Sequence, residues 1–129
     1  MGHVHATIKL RNPRREDRRE VEVNALADTG AFHLCLPAVL VEELGLEMDT
    51  VRTITTADGN TRKCRYVGPV RVQFEDRACY VGALELGNEV LLGAIPMEDM
   101  DLSVNPLRQT VIVNPEHPEG PRSFAMGAR

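Results

Sequence analysis

The sequence predicts an all-β domain with one or two short helices. Three observations carry that expectation. Apolar and polar residues alternate in several runs, as at Val4, Ala6, Ile8 and Leu10 or at Val70, Val72 and Phe74, which is the period of a half-buried strand. Turn formers separate the runs: Asn12-Pro13, Asp58-Gly59, Gly87-Asn88 and Asn105-Pro106. Two stretches, Pro37–Leu44 and Ala94–Met100, read instead as short helices.

The chain has 129 residues, enough for one domain with a real core and too few for two lobes. That domain is expected over residues 1–115. Residues 116–129 contain Pro118, Gly120 and Pro121 and read as a mobile tail. Charged residues make up 26% and the net charge is -4, which argues against nucleic acid or a membrane as the main partner. Aromatics are 4% and Trp is absent, so the core must be built from Val, Leu, Ile, Ala and Met. No apolar run is long enough to span a bilayer, and the first residues lack the features of a secretory signal. Cys35, Cys64 and Cys79 are odd in number and widely spaced. They suit free thiols in a reducing cytoplasm, where the protein is expected, and form no zinc-ligand pattern.

Taken in order, His3–Leu10 is the first strand, with Val4, Ala6, Ile8 and Leu10 on one face. His3 and His5 fall on the other. At i, i+2 they could share a metal, but no third ligand is apparent, so neither a metal nor a cofactor is expected. Arg14–Glu20 is densely charged with mixed sign and reads as a solvent-facing loop. A sharper reading is a patch that receives an acidic segment. No aromatics interleave with the arginines, which speaks against RNA.

Val21–Ala27 is the next strand, and it stops at Asp28-Thr29-Gly30-Ala31. An Asp closing an apolar strand is expected to be poorly solvated, which raises its pKa. Gly30 permits a sharp turn beside it, and Thr29 adds an uncharged hydroxyl. Asp28 is therefore a candidate acid/base group. The plainer alternative is an Asp-initiated turn after a strand.

Phe32–Leu36 returns as a short strand. Pro37 suits the first turn of a helix that Gly45 ends. Met48–Thr56 and Thr61–Val67 form a hairpin around Ala57-Asp58-Gly59-Asn60, where Asp-Gly favours a two-residue loop. Cys64 in that hairpin is expected to be exposed and oxidisable. Gly68-Pro69 is expected to break the strand pattern. Val70–Phe74 and Ala78–Leu84 then pair around a Glu75-Asp76-Arg77 turn, with Cys79 as a small buried hydrophobe. Glu89–Gly93 leads into the second helix, and Leu102–Val104 with Leu107–Val113 makes a closing hairpin.

Asp28-Thr29-Gly30-Ala31, led in by Ala25-Leu26-Ala27, resembles the active-site motif of the retropepsin-like (retroviral-type) aspartic proteases. Val90-Leu91-Leu92-Gly93, about sixty residues downstream, is similar to that family's second motif. The strand, helix and Gly after the first motif are similar to bacterial and cellular single-domain members. The resemblance runs from about Val21 to Val113.

It implies a closed barrel with a flap, which the hairpin some thirty residues after Asp28 would supply. It also implies an aspartic endopeptidase. Two carboxylates sharing a proton are needed to activate water, and the chain holds one Asp-Thr-Gly. Catalysis would therefore require a homodimer that pairs two Asp28 groups across a two-fold axis. Thr29 would bridge that axis and Gly30 would support the loop. Gly30, Ala31 and the flap tip Ala57, Asp58 and Gly59 would face an extended peptide or protein substrate.

The chain departs from the retroviral pattern in three places. Phe32 and His33 stand where retroviral enzymes carry acidic residues. Ala94 replaces the Arg after the second motif. The proline-rich tail is unlike their interleaved terminal strands, so the dimer interface would be built differently. These departures define the rival reading, a catalytically silent dimeric module that binds a peptide or protein.

Overall fold

The computed structural model describes residues 3–125. These form nine strands and two short helices: β1 (His5–Arg11), β2 (Val21–Ala27), β3 (Leu34–Leu36), α1 (Ala38–Leu44), β4 (Glu47–Thr55), β5 (Thr61–Phe74), β6 (Arg77–Glu85), β7 (Leu91–Leu92), α2 (Ala94–Asp99), β8 (Leu102–Asn105) and β9 (Thr110–Val113). The all-β expectation holds, and no helix among the described residues is long and apolar enough to cross a membrane. The strands make one mixed sheet in the order β4-β5-β6-β3-β7-β2-β1-β9-β8. A further pairing of β1 with β5, at Lys9↔Gln73 through Arg11↔Arg71, joins the ladder back on itself.

Alternation decides which face is inside. In β1, Ala6, Ile8 and Leu10 are buried while His5, Thr7 and Lys9 are exposed. These residues meet Leu34, Leu36, Val70, Val72 and Leu92 in the main core. Burying one such aliphatic side chain contributes on the order of 2 kcal/mol. A second, smaller cluster holds Cys35, Cys64 and Leu84, with Ile54, Tyr66, Leu86 and Leu91 packed against it. This cluster seats one face of the β4–β5 hairpin, from Tyr66 up to Ile54 near its tip, on β3, β6 and β7.

Helix α1 begins after Pro37 and ends at Gly45, whose φ of 65° gives the left-handed stop that glycine adopts without a Cβ penalty. The charged loop before β2 closes over that end. Arg18 Nη1 donates to the carbonyls of Glu42 and Glu43 at 3.0 and 3.1 Å. Asn12 Nδ2 does the same for Leu44 and Gly45 at 3.0 and 3.1 Å. The loop thus does more than face solvent, since Asn12 and Arg18 satisfy helix-end carbonyls. Arg15 is engaged with Asp17 at 2.8 and 2.7 Å, and that pairing holds the Asp17 carboxyl down to about 2.

Three expectations are corrected. β5 runs unbroken through Gly68-Pro69, because the ladder accommodates the Pro at a register irregularity between Val67 and Val70, where proline is tolerated. Arg77 is not a turn residue. It opens β6 and is 1% exposed, since its guanidinium donates to the carbonyls of Met100 (3.0 Å), Asp101 (3.2 Å) and His117. Cys64 is buried, at 4% exposure, because its side chain lies on the hairpin face that packs into the second cluster.

Past β9 the chain is tied to the body through Asp101. Its carboxylate accepts from Asn114 Nδ2 (3.0 Å) and the Arg122 amide (3.1 Å) and meets His117 Nδ1. The Asn114 amide and the His117 ring hold that carboxyl down to about 2.

Candidate active site

Asp28 is the first residue beyond β2, and the loop it opens is held by main-chain bonds from two directions. On the way in, the amides of Leu26 and Asp28 donate to the carbonyls of Val90 (2.9 Å) and Leu92 (3.0 Å), and that of Ala27 to Val4 (2.8 Å). On the way out, the amides of Ala94 and Ile95 donate to the carbonyls of Ala31 and Phe32, both at 2.8 Å. The Ala31 amide closes the turn onto the Asp28 carbonyl at 3.1 Å. The loop is therefore gripped between β7 and the start of α2.

Gly93 makes that grip close. A Cβ there would run into the His33 carbonyl oxygen and lie 2.7 Å from the Phe32 carbonyl. The apolar-apolar-Gly sequence thus has a physical meaning: two leucines anchor β7 and a glycine lets the loop backbone touch it. Gly30 is also a matter of space. It is not among the positive-φ glycines, but its Cβ would lie 3.1 Å from Asp28 Oδ1.

The burial expected at Asp28 is not found in the single chain. Asp28, Thr29 and Gly30 are exposed and Ala31 is half-buried. The end of the strand is apolar because Ala25 is buried and Leu26 and Ala27 are half-buried, whereas Asp28 lies past that end, where the loop turns outward. One carboxylate oxygen accepts the Gly30 amide at 2.9 Å. The other has no protein partner among the described residues and is free to hold a water or another carboxyl.

Ala57, Asp58 and Gly59 lie at the tip of the β4–β5 hairpin and are exposed. The tip is longer than the expected two-residue loop, for the last paired residues are Thr55 and Thr61. Asp58 supplies the reason. Its carboxylate accepts from Thr56 Oγ1, the Asn60 amide (3.1 Å) and Asn60 Nδ2 (3.0 Å). Those bonds shape the wider turn and lower its pKa.

Three residues that sequence reasoning did not join connect the hairpin to the Asp28 loop. The rings of His33 and Tyr66 meet edge to face, with centroids 6.0 Å apart and planes at 70°. Arg52 lays its guanidinium carbon 3.8 Å from the Tyr66 ring centre, and its Nη1 is 3.5 Å from His33 Nε2. Burial, and then the Arg52 charge, push the His33 pKa down. A neutral His33 presents a lone pair to Arg52, whereas a protonated one would present a second donor. The signal that could have flagged this contact is Tyr66 itself, one of two Tyr in a chain poor in aromatics.

The thiols are not poised for chemistry. Cys35, Cys64 and Cys79 are free and buried. Burial first, then Cys64 and Asp28 nearby, push the Cys35 thiol up to about 11. Burial pushes Cys79 up to about 12. His5 faces Glu89, with Nε2 3.6 Å from Oε1. Among the described residues no three His, Cys, Asp or Glu side chains gather as metal ligands would.

Two comparisons bear on this geometry. No curated protein matches the chain. The family model for aspartyl proteases matches residues 17–114, a span that runs from the loop before β2 to the end of β9 and so contains Asp28 and the β7 strand that braces it. On that match the chain belongs to the aspartyl protease family.

Proposed function

We propose that the protein is a retropepsin-like aspartic endopeptidase that works as a homodimer. One observation carries the reading. A single Asp-Thr-Gly per chain puts one carboxylate, rigidly braced and half unbonded, at the surface of the domain. One carboxylate cannot act as base and acid at once, so a second copy must bring its own Asp28. Phe32 and Ile95 support such an approach. They are 72% and 42% exposed, they lie on segments bonded to each other beside Asp28, and they form an apolar margin for a second copy to cover. They would do in apolar form the work of the charged pair that retroviral enzymes carry at the positions of Phe32 or His33 and of Ala94.

In the dimer the two Asp28 carboxyls share one proton, because like charges in contact cannot both ionise. The ionised carboxylate takes a proton from the water, and the hydroxide adds to the peptide carbonyl carbon. The protonated carboxyl gives its proton to the carbonyl oxygen. The resulting gem-diol collapses, the C–N bond breaks, and the amine leaves with a proton returned by Asp28. The β4–β5 hairpin acts as the flap, and Gly30, Ala31, Ala57, Asp58 and Gly59 line the extended substrate. Thr29 braces the paired loops. Free cysteines fit a reducing, cytoplasmic setting.

The test joins solution mass to digestion of a mixed peptide library between about pH 3 and about pH 7. A dimer that cleaves, and whose cleavage disappears in Asp28→Asn, is the expected result. Equal cleavage by both proteins, or a strict monomer, removes the reading. The exposed Phe32 also suits the rival, a dimeric module that binds peptides without cutting them. It would show peptide binding by the wild type with no cleavage at any pH.

A further inference from the structure

The hairpin carries a cation that no described residue neutralises. In the β4–β5 ladder Thr50 pairs with Tyr66, Arg52 with Cys64 and Ile54 with Arg62, and directly paired residues share a face. Ile54, Cys64 and Tyr66 pack into the small apolar cluster with Cys35 and Leu84. This is therefore the face turned toward the body, and Arg52 and Arg62 lie on it.

Arg52 is exposed, yet it is held in place by its stacking on Tyr66 at 3.8 Å and its contact with His33. Tyr66 is itself seated over Gly82, where a Cβ would overlap the ring. Neither arginine takes part in any ion pair among the described residues. A guanidinium has five N–H donors in a planar fork, and a single one of Arg52's faces His33. The remainder have no hydrogen-bond partner among the described residues, in a chain whose net charge is -4.

We propose that Arg52 is a specificity-determining residue that receives an acidic side chain of a peptide lying between the hairpin and the Asp28 loop. The proposal rests on the peptidase reading above. The chemistry is that of a fixed guanidinium, which pairs with a carboxylate through two parallel hydrogen bonds. Pre-ordering by Tyr66 and His33 lowers the conformational entropy lost on binding. Arg62 adds a second positive charge on the same face, and His33 acts through Arg52 as a positioning residue.

The experiment uses the full chain at about pH 6, where a Glu side chain is ionised. Matched hexapeptides carrying Glu or Gln at one position, moved stepwise along the peptide, are titrated onto the Asp28→Asn protein. Binding is read from the fluorescence of Tyr66 in a Tyr80→Phe background. The chain lacks Trp, so Tyr66 is then the sole strong emitter. At one position the Glu peptide is expected to bind about ten-fold tighter than its Gln partner. That gap closes in Arg52→Gln, and in Arg52→Glu the preference passes to a Lys peptide. Equal affinities at every position, no binding by either peptide, or a Glu preference that survives Arg52→Glu overturns the proposal.

Library cleavage by the wild type separates this proposal from the reading beneath it. Cleavage with no acidic preference overturns the role of Arg52 and leaves the peptidase standing. Glu-selective binding without cleavage supports the role of Arg52 and removes the peptidase.

Discussion

Two turns in this molecule look alike in sequence and differ in structure. Asp28-Thr29-Gly30 and Asp58-Gly59-Asn60 each fold the Asp carboxylate back onto the amide two residues on, at 2.9 and 3.1 Å. Asp58 then accepts from Thr56 and from the Asn60 side chain as well. Both its oxygens are used in building the turn. Asp28 keeps one oxygen without a partner among the described residues, because its loop is shaped from outside, by the carbonyl of Leu92 and the amides of Ala94 and Ile95. A carboxylate is available for chemistry when something else does its structural work.

The largest test of that contrast is paired substitution. Asp28→Asn is expected to lower peptide cleavage about 10³-fold, the scale of a lost general base, while Asp58→Asn, which loosens the hairpin tip without touching the reacting carboxyl, is expected to cost no more than about ten-fold. Comparable losses in both would erase the distinction. Stability follows in size. Gly93→Ala pushes a methyl group into the Phe32–His33 backbone and is expected to cost about 3 kcal/mol in urea unfolding. Gly59 has φ +85°, and a methyl group added there would meet nothing within 4 Å, so Gly59→Ala is expected to cost about 1 kcal/mol from backbone strain alone.

Hydrogen exchange sharpens the comparison without mutation. The amides of Asp28, Ala94 and Ile95 are expected to exchange near the global unfolding limit, and those of Gly59 and Asn60 through local opening. The smallest effect is at the contact between the two regions. Burial and Arg52 hold the His33 pKa below 6.5, so the folded contact binds fewer protons than the open one. It is fully present above pH 6.5 and weakens as pH falls through that value toward the lowered one. The Tyr66 ring resonances are expected to move between about pH 7 and about pH 5 in the wild type and to stay still in His33→Phe.

Local pattern made much of the fold legible. Strict alternation marked β1, and Pro37 with Gly45 bracketed α1, because those signals act within a few residues. The Asp28 strand and the Leu91-Leu92-Gly93 strand were readable as motifs, although no rule of spacing could show that they are hydrogen-bonded to each other. What escaped the sequence depends on partners distant along the chain. Cys64 is buried by Cys35 and Leu84, and Arg77 by the carbonyls of Met100, Asp101 and His117. The exposure of Asp28 escaped for another reason. Apolar neighbours along a strand report the covering of that strand's faces and are silent about the space beyond its last residue.

The way the Asp28 loop is gripped also sets which positions are at liberty to diverge. Amides and carbonyls are common to nearly every residue type. The bonds from Ala94 and Ile95 to Ala31 and Phe32 would therefore outlast replacement of any of those four side chains, proline aside. An acidic residue and an arginine at such positions become optional ornaments of a clasp already made by the polypeptide itself. The fixed point is instead Gly93, where a methyl group would run into the Phe32–His33 backbone, while at Gly30 it would press on the Asp28 carboxylate at 3.1 Å. Divergence in a site of this kind is constrained by missing atoms more than by those present.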